Sequence, residues 1–137
     1  LQALAPYYVQ PGESPVFAVD VNPAVDAALD CLSQMKFEDG SFGTFDGSGN
    51  VVPTSESISQ VILALCALER DPEKDETFTK KESTLLDALA KFRKEDGIYM
   101  HEKADEEGSA MATYQAMIAL EAVQKLRTEK KWIFDFK

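Results

Sequence analysis

The sequence QVILAL at residues 60–65 is followed 55 positions later by QAMIAL at residues 115–120. Each hexamer lies in a longer apolar segment, residues 55–68 and residues 109–126. A segment that is apolar on nearly all sides is typical of a helix that is buried on most of its surface. The two hexamers therefore predict two buried helices in equivalent places, with their last leucines as equivalent core residues.

An amphipathic segment precedes each of the two buried ones. Residues 23–37 carry apolar side chains at helical spacing, among them Val25 and Leu29, and residues 83–93 carry a similar stripe that includes Leu89. Polar and charged residues fill the positions between them. This pattern predicts a helix with one buried face in each segment.

The tripeptide Glu-Asp-Gly ends both amphipathic segments, at residues 38–40 and again 57 positions later. The glycine-rich residues 39–50 are expected to be loop. Self-similarity at a fixed period is typical of stacked repeats whose units cover each other's apolar helices. We therefore predict an all-α fold of αα-hairpin repeats in a single domain, residues 1–137. It would form an open arc of about two and a half units with essentially no sheet.

The chain has 137 residues and a formal net charge of -10. A strongly acidic surface repels phosphate backbones, so we expect no nucleic-acid partner. The longest apolar run, residues 61–68, is too short to cross a bilayer, and we expect no membrane insertion. The sequence has no basic stretch followed by an apolar stretch, as a signal peptide would have. We expect the domain to be a fragment of a larger protein.

The two cysteines, Cys31 and Cys66, lie in apolar helical patterns. Free thiols are expected there, and a bridge between two helices is the alternative. Residues 46–50 place oxygen side chains at alternate positions, as a calcium loop does. The glycine and the acid that such a loop needs are replaced by Val51 and Ser57, so a plain turn is expected.

No catalytic residue, metal site or cofactor is predicted from these patterns. His101 is followed by several carboxylates, which we interpret as a solvated charged loop rather than a metal cluster. No Ser/His/Asp set, phosphate loop or dinucleotide fingerprint occurs in the chain.

Four polar side chains near the starts of the buried helices are candidate ligand-binding residues. Glu56 and Gln60 lie one helical turn apart, and Gln115, the equivalent of Gln60, lies beside Tyr114. Such groups can surround the mouth of a concave site. The alternative is that they cap helices and form hydrogen bonds with backbone groups of the loops. We favour this alternative, because polar groups in proteins normally have structural hydrogen bonds.

Residues 32–43 read LSQMKFEDGSFG, which resembles the "SQ…DGSWG" segment of the α/α-toroid superfamily. That superfamily contains squalene and terpenoid cyclases, protein prenyltransferase β subunits and cobalamin carriers. The strings LQALAPY (1–7), SESISQV (55–61) and MATYQA (111–116) are similar to prenyltransferase-like repeat domains in surface or secreted proteins of Gram-positive bacteria. This resemblance covers nearly the whole chain, and it implies an α/α-toroid segment in an extracellular or cell-surface protein.

The chain departs from those families where their chemistry lies. It has no Asp-x-Asp-Asp acid, Phe42 stands where the repeat motif has Trp, and neither cysteine nor His101 matches the zinc-binding context of prenyltransferases. We therefore predict that the chain is not an enzyme. It would be a non-catalytic domain that binds an unidentified ligand or protein partner on the face built by the long loops, with its oligomeric state left open. The alternatives are a fragment of a cyclase-like or prenyltransferase-like enzyme whose acid lies elsewhere, and a cobalamin-carrier-like domain.

Overall fold

The computed structural model describes residues 1–9, 20–79, 83–129 and 132–134. Within these residues, one 3-10 turn precedes four α-helices and two short strands. The elements are the 3-10 turn Ala5–Tyr7, α1 Asn22–Gln34, β1 Gly43–Phe45, β2 Val51–Pro53, α2 Ser55–Ala67, α3 Leu85–Ala90 and α4 Ala110–Glu129.

The prediction of an all-α fold built from stacked αα-hairpins is wrong. The described residues form four helices and a two-stranded antiparallel sheet, with 46% of residues helical and 8% in strand. The chain is therefore a small mixed α/β domain. The helices themselves lie within a few residues of their predicted positions, except that α3 has only six residues.

The sheet is a hairpin inside the segment that was expected to be loop. Gly43 pairs with Pro53 and Phe45 pairs with Val51. At its tip the carboxylate of Asp46 accepts hydrogen bonds from two backbone N–H groups, those of Ser48 and Asn50. Strands of three residues are too short to show an alternation of apolar and polar side chains, which explains why the sequence pattern did not reveal them.

The two Asp-Gly turns share their local geometry, although the elements around them differ. Gly40 and Gly97 have positive φ angles of 83° and 90°, where glycine carries no steric penalty. Asp39 and Asp96 each accept a hydrogen bond from the backbone N–H two residues further on. The first turn leads into the hairpin, whereas the second leads only to an isolated bridge. The similarity also includes one backbone hydrogen bond after each turn, from Thr54 to Phe42 and from Ser109 to Tyr99, but it does not extend to the strands.

Helix α2 is the centre of the core, because ten of its thirteen residues are buried. Thr54 caps its start by accepting a hydrogen bond from the backbone N–H of Ser57. At its end the backbone N–H of Arg70 donates to the carbonyl of Leu65, and Glu69 adopts a left-handed φ of 59°. This is the Schellman geometry that closes a helix, here with glutamate in the position that glycine usually occupies.

Helix α4 packs against α2 and points in the same direction. Gln60 contacts Gln115 near the two helix starts, and Asp71 contacts Arg127 near the two helix ends. Because the offset along the chain is nearly the same at both places, the helices are parallel. The intervening residues 68–109, which include α3, return the chain to the start.

Only one face of α4 is buried, so the prediction that this helix is covered on most sides is wrong. Its buried residues are Ala112, Ala116, Ala119, Ala122 and Val123. Met111, Tyr114, Met117 and Leu120 are exposed.

The core lies around α2 and draws on every helix. Its largest fully buried side chains come from α2, from α3 and from the turns beside them. They include Ile58, Ile62, Leu65, Phe78, Leu85, Leu89 and Phe92. Cys66 is buried in this core, Cys31 is exposed on α1, and both thiols are free.

We predict that Leu65→Ala lowers the free energy of unfolding by about 2–5 kcal/mol, the usual cost of truncating a buried leucine. Leu65 is fully buried, whereas Leu120, expected from the sequence to be its core equivalent, is 39% exposed. Leu120→Ala is the matched control and should cost less than about 1 kcal/mol. Urea unfolding of both variants measures the difference. Equal losses would contradict the burial described for the two helices.

We also predict that the contact between Arg127 and Asp71 stabilises the fold at neutral pH and loses this effect in acid. The guanidinium donates to both carboxylate oxygens of Asp71, at 2.9 and 2.7 Å, and these hydrogen bonds lower the pKa of Asp71. A carboxyl group with a lowered folded-state pKa adds stability above its unfolded pKa, about 4, and that stability is lost as pH falls through the folded value.

Arg127→Met should therefore lower the free energy of unfolding by about 1 kcal/mol at pH 7, a value reduced for partial exposure. The loss should shrink towards pH 2, where the carboxylate of Asp71 is being protonated in both proteins. Urea unfolding from pH 2 to pH 7 gives both values. A loss that does not change with pH would contradict an electrostatic role for the pair.

Candidate functional site

A groove of about 560 Å³ lies at the end of the domain where α2 and α4 begin. The last turn of α1, the first strand of the hairpin and the loop that carries His101 complete its walls. Because α2 and α4 are parallel, both helix starts face this one region.

The apolar part of the groove is formed by side chains from three different elements. Met35 follows α1, Phe42 precedes β1, and Met111 lies in the first turn of α4. Phe42 is 4% exposed, whereas Met35 and Met111 are 60% and 65% exposed. The groove therefore combines a packed aromatic side chain with two pliable, solvent-facing thioethers.

The charged part of the groove is a contact between Glu56 and His101. Oε2 of Glu56 lies 2.9 Å from Nδ1 of His101. The His101 loop is held against the start of α2 because the backbone N–H of Ser55 donates to the carbonyl of His101 at 3.1 Å. The hydroxyl of Ser55 donates to the carbonyl of Met100 at 2.7 Å. The position of the pair is thus fixed by buried backbone contacts.

A row of three glutamine side chains borders the groove. Nε2 of Gln2 donates to Oε1 of Gln60, and Nε2 of Gln60 donates to Oε1 of Gln115, each at 3.0 Å. The row joins the first residues of the chain to both parallel helices. Gln60 and Gln115 thus bond to glutamine side chains rather than to helix ends or loop backbone, and they also line the groove.

Three of the four candidate binding residues lie together in this groove. Glu56, Gln60 and Gln115 all line it. Tyr114 does not, because it lies on the exposed face of α4 with 66% of its surface accessible.

Three groove residues, His101, Met35 and Met111, were not among the candidates predicted from the sequence. His101 lies 45 positions after its partner Glu56, and no motif joins them. The two similar apolar segments could have indicated the position of His101. If residues 55–68 and 109–126 form helices whose starts are adjacent, the loop before residue 109 must pass close to residue 55.

Basic side chains near the groove contact other parts of the domain. Lys103 is bound to Asp39 at 2.6 Å, and Lys36 donates to the carbonyl of Thr77 at 3.1 Å. Burial tends to raise the pKa of Asp39, but hydrogen bonds from Lys103 and Ser41 hold it well below its usual range. None of the described residues that line the groove is a lysine or an arginine.

Neither of the metal sites considered in the sequence is assembled. Among the described residues, no three His, Cys, Asp or Glu side chains converge on one point. The carboxylate of Asp46 is bound by backbone N–H groups of its own turn, and the hydrogen bond from Asn50 is the main cause of its lowered pKa. The described carboxylates that follow His101 in its loop are exposed or half-buried.

Comparison of the chain with protein-family models, curated proteins and solved structures finds no match. The sequence resemblance to prenyltransferase-like repeat domains therefore stays a prediction. In the described part of the chain, no helix has both the length and the apolar character needed to cross a membrane.

Proposed function

We propose that this chain is a non-catalytic recognition domain whose binding site is the groove at the starts of α2 and α4. The observation that carries the proposal is the convergence of Glu56, Gln60 and Gln115 with two solvent-facing methionines, Met35 and Met111. Concave sites with apolar walls and a few placed polar groups are the usual form of a binding site.

The exposed methionines support recognition because their position is otherwise unfavourable. Two unbranched apolar side chains that face solvent gain little for the fold, yet both line the same groove. Methionine adapts its shape to different partners, and it is used for that purpose at binding surfaces.

The side chains of the groove support binding rather than chemistry. A carboxylate–histidine pair becomes catalytic when it takes a proton from a nucleophile within hydrogen-bond reach. The hydroxyl of Ser55 lies 3.2 Å from Oε2 of Glu56, but it is fully buried, does not line the groove, and makes its shorter hydrogen bond, 2.7 Å, to the carbonyl of Met100. Prenyl transfer of the kind suggested by the resemblance needs a metal-activated thiolate. Burial raises the pKa of Cys66 to about 12, which keeps this thiol protonated.

We propose an extracellular or cell-surface location on the ground of the sequence resemblance alone. A secreted recognition domain would meet its partner outside the cell. Binding in a preformed groove needs no cofactor.

The proposal predicts that a ligand changes the methyl NMR signals of Met35 and Met111. The chain has four methionines, so selective methyl labelling gives four assignable signals. We expect tripeptide mixtures to shift the signals of the two groove methionines, because both side chains would contact the bound segment.

Met117 is the internal control for this measurement. It is 63% exposed on α4 and does not line the groove, so its methyl signal should stay in place. Shifts confined to Met117, or no shift at any methionine up to millimolar peptide, would contradict the groove as a binding site.

A further inference from the structure

We infer that the groove takes a lysine or arginine side chain from a short exposed segment of a partner protein, with an apolar neighbour of that side chain between the methionines. This inference rests on the proposed function and adds the chemistry of the partner. It follows from the types of hydrogen-bonding groups in the groove, from the charges around it and from its open shape.

The Glu56–His101 pair offers acceptors to a ligand. When Nδ1 of His101 donates to the carboxylate, the other ring nitrogen, Nε2, carries a lone pair in the neutral ring. No described residue donates to Oε1 of Glu56, because the hydrogen bonds to this carboxylate all reach Oε2. A carboxylate oxygen and an imidazole nitrogen on two contacting side chains suit a ligand with several N–H donors.

Charge supports a cation over a neutral donor. The described lining residues include one carboxylate and, apart from the histidine, no basic side chain. The nearest lysines in sequence, Lys36 and Lys103, bind Thr77 and Asp39 instead. The whole chain carries a formal net charge of -10, so its long-range field also attracts a basic partner. A lysine or arginine bound to Glu56 would form a charge-assisted hydrogen bond, which is stronger than a neutral one.

The apolar walls require an apolar group beside the cation. Met35 and Met111 contribute thioether and methyl surface, and Phe42 contributes the packed wall between the hairpin and the helices. Lysine and arginine stems are themselves apolar and lie well along such surfaces. A basic residue next to a leucine or a similar side chain therefore satisfies both parts of the groove.

The open shape indicates a protein segment rather than a small free amine. Sites for small molecules surround most of the ligand surface. In this groove the two methionines are more than half exposed, and the His101 side chain is 46% exposed. A segment that continues beyond both ends of the groove gains contacts that a small amine cannot make.

The test compares the peptides acetyl-Leu-Lys-Leu-amide, acetyl-Leu-Gln-Leu-amide and acetyl-Leu-Glu-Leu-amide on the full chain, followed by the Met35 and Met111 methyl signals. We expect the lysine peptide to bind at least about fivefold more tightly than the glutamine peptide, and the glutamate peptide to bind most weakly. Glu56→Gln should weaken the lysine peptide about tenfold and leave the glutamine peptide nearly unchanged.

Glu121→Gln is the matched control, because it removes the same charge from an exposed position on α4 outside the groove. It should change the affinity for the lysine peptide by less than about twofold. Circular dichroism checks that both variants fold. If Glu56→Gln does not fold, the wild-type chain still gives the answer, since raising salt from 50 to 500 mM should weaken binding of the lysine peptide and leave binding of the glutamine peptide nearly unchanged.

Several results would overturn the inference. Equal affinity for the lysine and glutamine peptides would contradict recognition of a basic side chain. The absence of any effect of Glu56→Gln and of salt would contradict it as well. Free hexylammonium that binds as tightly as the lysine peptide would indicate a small amine, and shifts that grow with protein concentration alone would indicate a second copy of the chain. In each of these cases ligand-dependent shifts at Met35 and Met111 would leave the proposed function standing. The absence of any ligand-dependent shift would contradict both the proposed function and the basic partner.

Discussion

The contact of α4 with α2 depends on small side chains. Ala112, Ala116 and Ala119 are fully buried on one stripe of α4, and α2 is the described element that α4 contacts most extensively. Helices approach closely where the side chains between them are small. The buried side chains of α2, which surround it on nearly all sides, then fill the space towards α1 and α3. Both the core and the site require this close parallel pair.

The groove is a consequence of the parallel arrangement. Two adjacent helices that point the same way place their first turns at the same end of the domain, together with the loops that lead into them. Glu56 comes from one start and Met111 from the other, and the loop that carries His101 is fastened to the first of them by Ser55. Glu56 lies in the first turn of α2, where its carboxylate offsets the positive end of that helix dipole. Fold and site therefore have one origin.

The helices could be predicted from the sequence because their apolar periodicity is local information. The two similar hexamers indicated α2 and α4, and the first amphipathic stripe indicated α1, each to within a few residues. The hairpin could not be predicted, since its strands are three residues long and their side chains are half-buried or exposed, which leaves no apolar pattern in the sequence. The predicted fold class was wrong because recurrence of the Asp-Gly turns was taken as evidence that whole αα-hairpins recur. For the site, the sequence identified Gln60 and Gln115 as equivalent residues, and the structure shows that they are in contact, whereas Tyr114 lies on the exposed face of α4. The pairing of Glu56 with His101 depends on a distant loop, which local patterns do not specify.

The close packing of α4 on α2 is tested most directly by enlarging one side chain in the contact. Ala116 is fully buried in that contact, and Ala110, at the start of the same helix, is exposed. The measurement compares the free energy of unfolding of Ala116→Leu with that of Ala110→Leu. The packing described here predicts a loss of about 1–3 kcal/mol for Ala116→Leu, the range for overfilled cores, and a change within about 0.5 kcal/mol for Ala110→Leu. An Ala116→Leu protein as stable as the Ala110→Leu protein would contradict the parallel helix pair as the basis of the fold.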